Sequence, residues 1–279
     1  MRVAAVQMVS ASSVSANLER AHALLSQAAR AGAELALLPE YFCLLGRQDS
    51  DKLGIQETLG TGVIQQFLAG TARELGLWIV GGTLPLSAGS ADASSAAEGA
   101  RVYNSTLVYS PAGDRVARYD KIHLFRFDNG RERYDESRLL LPGSQPVTFE
   151  LPSRDGHGWR IGLSVCYDLR FPELYRAYAR TGVDLLLVPS AFTHTTGQAH
   201  WEVLLRARAI ENLAFVAAAA QGGQHENGRR TWGHSMLVDP CGGVLAERAQ
   251  GAGVVAADLD IARLDEYRAQ LSALAHRVL

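Results

Sequence analysis

The chain has 279 residues, of which 47% are hydrophobic and 20% charged, a composition typical of a folded globular protein and not of a disordered one. Its 27 lysines and arginines nearly balance 29 aspartates and glutamates, and a pI near 6.4 without a basic block argues against a nucleic-acid partner. No apolar run approaches the roughly 20 residues that a membrane-spanning helix requires, so no membrane partner is expected.

The first third of the sequence alternates between strand-like and helix-like patterns. We predict strands over residues 2–8, 33–38 and 77–81, and helices over residues 15–31 and 62–75. Because the apolar runs of these strands show no alternation, we expect the strands to be buried on both faces. Strand–helix–strand units of this kind favour parallel neighbours within a sheet.

The middle of the sequence contains one polar segment and one hairpin. Residues 87–100, SAGSADASSAAEGA, are too small and polar to pack, so we predict a surface loop there. The segments 102–109 and 116–119 flank the turn sequence SPAGD, which predicts an antiparallel hairpin.

The second half of the sequence continues this alternation and closes with another hairpin. The predicted elements are strands over residues 160–165, 183–188 and 214–219, helices over residues 172–180 and 201–212, and a hairpin of residues 233–238 and 244–246 around DPCGG. Since parallel and antiparallel pairings are both expected, the pattern predicts an α/β protein with mixed sheets covered by helices. A chain of this length without a long linker is expected to form one domain over residues 1–279.

The cysteine pattern indicates a reducing compartment. Cys43, Cys166 and Cys241 are odd in number and far apart, and they form no CxxC motif, so neither a disulfide framework nor a structural zinc site is expected. The N-terminal residues MRVAAVQM lead directly into a strand-like pattern and lack the features of a signal peptide. We therefore expect a cytoplasmic protein.

Cys166 is the candidate nucleophile. It directly follows a predicted strand and precedes YDLRFPELYR, in which Pro172 is well placed in the first turn of a helix. Such a turn stands at the carboxyl end of the sheet, where α/β proteins bind ligands and where backbone N–H groups can stabilise an oxyanion. On this local pattern alone, a buried and inert Cys166 is an equally open alternative, and for Cys43 and Cys241 the inert interpretation is favoured.

None of the eight histidines carries a recognisable catalytic or metal-binding pattern. His194 and His200 are six residues apart and lack the i, i+4 spacing of a helical metal site, and no P-loop, GxGxxG or HExxH motif occurs. A cysteine–histidine enzyme therefore stays open but unsupported, and no metal site is expected.

Two further charged residues stand beside apolar strands. Glu40 ends the run AELALLP, where an acid is more often a solvated loop residue or a helix cap. Lys121 lies in RYDKIHLF, where apolar neighbours could hold its ammonium near a reacting centre, the alternative being a surface lysine. Composition favours the first interpretation of Lys121, because the chain has 25 arginines and only two lysines. The second lysine, Lys52, lies in the polar run QDSDKLG and is expected to be exposed.

In order and spacing, Glu40, Lys121 and Cys166 resemble the Glu–Lys–Cys triad of the nitrilase superfamily of carbon–nitrogen hydrolases. The matching segments are LLPEYF, YDKIHLF and GLSVCYDLRFPELYR, supported by HWEVLLRARAIEN and GHSMLVDPCG, and the resemblance covers essentially the whole chain. Three motifs in fixed order are far more specific than any one of them. The family's second glutamate precedes a Pro-Gly, and ESRLLLPG matches it at Glu136, which would otherwise be interpreted as a surface acid.

Within the superfamily, the sequence resembles the amidase branch that includes ω-amidase and deaminated-glutathione amidase, and the second group more closely. True nitrilases typically carry Trp-Glu after the nucleophile, whereas this chain has Tyr167 and Asp168. The resemblance implies hydrolysis of a small linear amide, either deaminated glutathione or the ω-amide of a dicarboxylic acid. A nitrilase or an N-carbamoyl amino acid amidohydrolase on the same triad stays open, as does a non-catalytic binding protein that retains the fold.

The resemblance also implies a fold and a mechanism. The fold would be a four-layer α-β-β-α sandwich with two mixed sheets, paired across the helices that follow the nucleophile into a homodimer or higher homo-oligomer. Cys166 would form a thioester, Glu40 would move protons, and Glu136 would orient Lys121 or the substrate amide. Lys121 would lower the thiol pKa and, with the backbone N–H of Tyr167, stabilise the oxyanion. Neither a metal nor an organic cofactor is implied.

The substrate pocket is the least defined part of this resemblance. Substrates of the branch carry a carboxylate, and Arg170, four residues after the nucleophile, is its candidate partner. Related carbamoylases have two arginines here, and the first of those positions is Leu169 in this chain, which argues against carbamoyl substrates and leaves a structural role for Arg170 open. Phe192, Thr193 and Tyr41 are candidate pocket walls.

Overall fold

The computed structural model describes residues 1–88, 101–130 and 133–278, so most of the loop predicted over residues 87–100 lies outside the described part of the chain. The helices are α1 (Val14–Arg30), α2 (Asp51–Gly54), α3 (Val63–Leu75), α4 (Pro172–Arg180), α5 (His194–Asn212) and α6 (Ile261–Gln270). The strands of the N-terminal half are β1 (Arg2–Gln7), β2 (Leu35–Leu37), β3 (Trp78–Val80), β4 (Leu84–Ser87), β5 (Val102–Tyr109), β6 (Arg115–Asp120), β7 (Arg126–Asp128), β8 (Arg133–Asp135) and β9 (Leu140–Leu141). The strands of the C-terminal half are β10 (Thr148–Pro152), β11 (Gly158–Leu163), β12 (Leu185–Ser190), β13 (Phe215–Ala220), β14 (Ser235–Val238), β15 (Val244–Arg248) and β16 (Gly253–Asp258).

Two mixed sheets form the centre of the structure, as the sequence predicted. The first has the order β16-β1-β2-β3-β5-β4, with β6 and β9 also paired to β5, and the second has the order β10-β11-β12-β13-β14-β15. In each sheet the strand–helix–strand units give parallel neighbours, β1 with β2 and β11 with β12, whereas hairpins and returning strands pair antiparallel. The hairpins predicted at β5–β6 and β14–β15 are both present.

The alternation of side chains along β1 explains the layers. Val3 and Ala5 belong to the apolar core between the two sheets, whereas Ala4 and Val6 belong to a second core under α1 and α3. On the far side, α4 and α5 pack on the second sheet, with Trp201 of α5 fully buried. The fold is therefore the four-layer α-β-β-α sandwich that the resemblance implied.

One helix boundary and one strand differ from the sequence prediction. Helix α5 begins at His194 and not at residue 201, because the Thr193 side chain caps it by accepting a hydrogen bond from the Thr196 N–H, 3.3 Å away. The unpredicted strand β16 pairs antiparallel with the whole of β1, a contact between opposite ends of the chain that no local pattern reveals. No helix in the described part of the chain is long and apolar enough to cross a membrane.

Candidate active site

The site lies where strands of both sheets end. Glu40 follows β2 and Lys121 follows β6 in the first sheet, whereas Cys166 follows β11 and Ala191 follows β12 in the second. Since the sheets face each other, these four chain segments meet at one end of the interface between them.

Lys121 is the centre of a buried ion cluster. Its Nζ donates hydrogen bonds to Glu40 Oε1 at 3.0 Å and to Glu136 Oε1 and Oε2 at 3.0 and 2.8 Å. The side chains of Lys121 and Glu40 are each only 1% exposed, and that of Glu136 is 14% exposed. One ammonium therefore holds two carboxylates that would otherwise repel each other in a region of low dielectric constant.

The remaining oxygen positions of Glu40 are also occupied. Asn104 Nδ2 donates to Glu40 Oε1 at 2.9 Å, and the backbone N–H of Ala191 donates to Glu40 Oε2 at 3.0 Å. Cys166 lies close enough to this carboxylate for the Glu40 charge to raise the pKa of the thiol. Glu40 thus joins the two sheets beside Cys166.

Glu136 is fixed from the opposite side of Lys121. The Tyr41 hydroxyl donates to Glu136 Oε1 at 3.0 Å, and the backbone N–H of Phe125 donates to Glu136 Oε2 at 2.7 Å. This network leaves the Lys121 ammonium between two oriented carboxylates and prevents it from swinging away from the cleft.

The pKa shifts define the resting protonation state. Burial and the Glu40 charge raise the pKa of the Cys166 thiol well above its ordinary value, and Lys121 only partly opposes them. Burial also raises the pKa of Glu40, again against the Lys121 charge. Burial would lower the pKa of Lys121, but the charges of Glu136 and Glu40 outweigh it and hold that pKa well above the usual range. Lys121 opposes the rise in the thiol pKa only in part, so the neutral thiol is the favoured form of the resting sulfur.

Two turns next to the site carry unusual backbone conformations. Cys166 has a φ of +50° and Tyr41 a φ of +57°, a left-handed region that costs a non-glycine residue about 1–2 kcal/mol. The turn at Tyr41 is stabilised by a hydrogen bond of 2.9 Å, which the Tyr41 N–H donates to Thr83 Oγ1. A Cβ on the neighbouring Gly82, whose φ is +50°, would lie 2.1 Å from the Pro39 carbonyl oxygen, so only glycine allows this close approach.

Asp168 connects the turn that carries Cys166 to the segment that carries Lys121. Its Oδ2 accepts hydrogen bonds from the Val165 N–H at 2.9 Å and the Tyr119 hydroxyl at 2.7 Å. Its Oδ1 accepts from the His123 N–H at 2.9 Å and lies 2.8 Å from His123 Nδ1. Asp168 is fully buried, so this one carboxylate fixes the distance between Cys166 and Lys121.

A cleft of about 750 Å³, including its open mouth, leads to the sulfur. The predicted residues that line it are Glu40, Tyr41, Glu136, Cys166, Tyr167, Arg170, Phe192 and Thr193, with Lys121 buried behind them. The Arg170 guanidinium packs against the rings of Phe192 and Tyr167, at 5.3 and 5.8 Å, and its Nη1 lies 3.1 Å from His200 Nδ1.

Sequence reasoning missed a second group of residues that line the cleft, around Lys52. Lys52 was expected to be exposed, and this expectation is wrong: it is half-buried, lines the cleft and places its Nζ 4.8 Å from the centre of the Tyr41 ring. Arg229, paired with Asp49, and the ring of Tyr134 complete this group. The rarity of lysine was the available signal, and it applied to Lys52 as much as to Lys121.

Comparisons with known proteins cover nearly the whole chain. A family model described as carbon–nitrogen hydrolase matches residues 2–269. The chain is 39% identical over 277 residues to a protein named deaminated glutathione amidase from Synechocystis sp., an alignment that covers 99% of this chain and 97% of that protein. It is 35% identical over 276 residues to a protein named omega-amidase from Homo sapiens, covering 97% and 92%.

A solved structure of similar fold is that of a mutant amidase from Nesterenkonia sp. AN1. The TM-score is 0.76 at 28% sequence identity, and the match covers 98% of each chain. That structure is described as showing the result of Michael addition of acrylamide at the active site cysteine. The likeness therefore extends over both sheets and is not confined to one motif.

We predict that Asp168→Asn lowers the free energy of unfolding by about 1–3 kcal/mol. In either orientation the new amide nitrogen faces a backbone N–H, of Val165 or of His123, and leaves that donor without an acceptor. Urea denaturation of both proteins measures the change. The control is Asp258→Asn, which neutralises an exposed carboxylate paired with Arg2 and is expected to lose less than about 1 kcal/mol. Equal losses in the two variants would contradict the role of Asp168.

Proposed function

The chain belongs to the carbon–nitrogen hydrolase family and is an amidase, and on this premise we propose that it hydrolyses a small linear amide through a thioester on Cys166. The observation that carries the proposal is the buried hydrogen bond of 3.0 Å between Lys121 and Glu40, with Cys166 and Glu40 lining the same cleft. A nucleophile, a proton acceptor and a cation thus adjoin at the end of one cleft.

In the first half of the reaction, the Cys166 sulfur attacks the amide carbonyl carbon while its proton passes to Glu40. The carbonyl oxygen becomes an oxyanion, which the Lys121 ammonium and the Tyr167 N–H stabilise. The C–N bond then breaks, and Glu40 returns the proton to the departing nitrogen. The product of this half is a thioester on Cys166 and a free amine or ammonia.

In the second half of the reaction, water replaces the amine. Glu40 removes a proton from the water as it attacks the thioester carbonyl, a second oxyanion forms at Lys121, and the C–S bond breaks. The carboxylic acid leaves, and the proton returns from Glu40 to the Cys166 sulfur. A neutral resting thiol fits this cycle, because the sulfur loses its proton only when a substrate carbonyl is present to be attacked.

For the substrate, we propose deaminated glutathione, with the ω-amide of a dicarboxylic acid as the second candidate. The names of the relatives at 39% and 35% identity support these two classes in that order. Arg170 is the candidate partner for the carboxylate of the acyl part, since its guanidinium is held at the cleft by Phe192 and Tyr167. Tyr41 and Thr193 would line the path to the sulfur.

We also propose a homodimer or higher homo-oligomer in the cytoplasm. Val203 and Ile210 of α5 are 68% and 46% exposed, so this helix presents apolar surface that a second copy could cover. Cys43, Cys166 and Cys241 are all free thiols, which fits a reducing compartment.

A substrate panel tests the proposed function. We expect purified enzyme to release cysteinylglycine from deaminated glutathione with a higher kcat/KM than it releases ammonia from α-ketoglutaramate, and Cys166→Ala to do neither. Turnover of α-ketoglutaramate alone would contradict the substrate, and turnover of neither compound would contradict the function.

We predict that Lys121→Arg lowers kcat by about 100-fold or more, the loss typical of a removed oxyanion donor. Arginine stays charged, but its broad guanidinium would occupy the position of the substrate carbonyl. Steady-state kinetics measure the loss, with urea denaturation to confirm that the variant is folded. A folded variant with nearly normal kcat would contradict the need for a compact ammonium.

We predict that Glu136→Gln moves the acid limb of kcat/KM to lower pH. The Glu136 charge raises the pKa of Glu40, so its removal leaves the lowering effect of Lys121 less opposed. Because activity requires Glu40 as a carboxylate, a lower pKa extends activity toward acid. The pH profile of kcat/KM measures the shift, with Glu150→Gln at the exposed Arg160 pair as the control. An unmoved limb, or one moved to higher pH, would contradict this coupling.

A further inference from the structure

Lys52 is a cation that faces the cleft and that the proposed reaction does not use. It lies on the short helix α2, is half-buried, and packs its Nζ over the Tyr41 ring at 4.8 Å. It also borders a recess of about 280 Å³, including its open mouth, between Tyr41, Leu45, Asp49 and Arg229. Its side chain therefore lines both the cleft and this recess.

The charges around the cleft are paired, with two exceptions. Among the described residues, Lys121 is matched by Glu40 and Glu136, and Arg229 is matched by Asp49. In the same part of the chain, neither of the other two cations of the cleft, Lys52 and Arg170, forms an ion pair; the nearest polar partner of Arg170 is His200. Burial lowers the pKa of Lys52, and the nearby charges of Glu136 and Asp49 offset this effect only in part. An anion bound directly to the ammonium would stabilise its charged form further.

The two unpaired cations lie on different walls. Arg170 packs on Tyr167, the residue that follows the nucleophile, whereas Lys52 packs on Tyr41, the residue that follows the proton carrier Glu40. The recess beside Lys52 is not lined by Arg170. Since Glu40 delivers its proton to the departing nitrogen, the wall next to Glu40 is the one that the leaving group faces.

From these contacts we propose that Lys52 binds a carboxylate on the leaving-group side of the scissile amide, so that the substrate carries one carboxylate at each end. This inference rests on the proposed amidase function and narrows its substrate class. Deaminated glutathione has this form, with an oxo-acid carboxylate on its acyl part and a glycine carboxylate on its leaving group. An ω-amide lacks the second carboxylate, because its leaving group is ammonia. Lys52 would therefore select peptide-like leaving groups that end in a carboxylate.

A matched pair of substrates tests this proposal. The pair is deaminated glutathione and its analogue with the glycine carboxylate converted to a primary amide, and the quantity measured is the ratio of their kcat/KM values. We expect the wild-type enzyme to prefer the acid, and Lys52→Gln to lower the ratio about tenfold to 100-fold, the range for a hydrogen bond between charged groups. Lys52→Arg should retain most of the preference, because it keeps the charge.

The control is Arg154→Gln, which removes an exposed cation outside the cleft and should leave the ratio unchanged. An equal loss on both substrates in Lys52→Gln would overturn the proposal, since it would mean that Lys52 acts through Glu136 or through the fold. A wild-type ratio near one would overturn it as well. Hydrolysis of either compound in these cases leaves the proposed amidase function standing, whereas hydrolysis of neither removes both.

Discussion

One buried ammonium, held between two carboxylates, is the interaction on which this end of the molecule depends. Lys121 comes from the end of β6, Glu40 from the end of β2, and Glu136 from the turn after β8. Without the ammonium between them, the two carboxylates would repel each other. Breaking a buried ion pair by removal of one partner typically costs about 3–5 kcal/mol. The cluster is therefore a structural junction as well as the chemical centre, and the Ala191 N–H connects it to the second sheet.

The same cluster decides how the sulfur behaves. A thiol next to a carboxylate does not ionise readily, and burial adds to this effect. In the proposed reaction, proton transfer from Cys166 to Glu40 would become favourable only as the substrate carbonyl takes on negative charge beside Lys121. The proposal thus separates two tasks: Glu40 would carry the proton, and Lys121 would receive the developing charge. Glu136, whose pKa is lowered by Lys121 and Lys52 against the effect of burial, keeps Lys121 in place throughout.

Sequence patterns predicted the elements whose burial is visible in their own residues. The strands β12 and β13 are buried along their whole length, so their unbroken apolar runs identified them. The first turn of α5 is polar, and its start is set by the Thr193 cap, which periodicity does not detect. Glu40 and Lys121 each had ordinary alternatives, and only their fixed order with Cys166 pointed to a common site.

The burial of Lys52 could not be predicted from its neighbours in the sequence. Its neighbours in the chain are polar, which suggested exposure, but its surroundings come from elsewhere. Tyr41 packs under its ammonium, and the ion pair beside it joins Asp49 to Arg229 across 180 residues of chain. The local sequence around Lys52 does not reveal burial by distant segments such as that of Arg229. Only the rarity of lysine in this chain indicated that Lys52 has a special position.

The raised pKa of Cys166 has a consequence for the lifetime of the enzyme. Peroxides and other oxidants attack the thiolate, and oxidation beyond the sulfenic acid is generally irreversible. Because a raised pKa favours the protonated sulfur and Cys166 is only 9% exposed, an idle enzyme presents little of the reactive form. Many cysteine enzymes hold a thiolate at rest and are vulnerable whenever they are unoccupied. In this molecule, the thiol is expected to resist oxidation between turnovers.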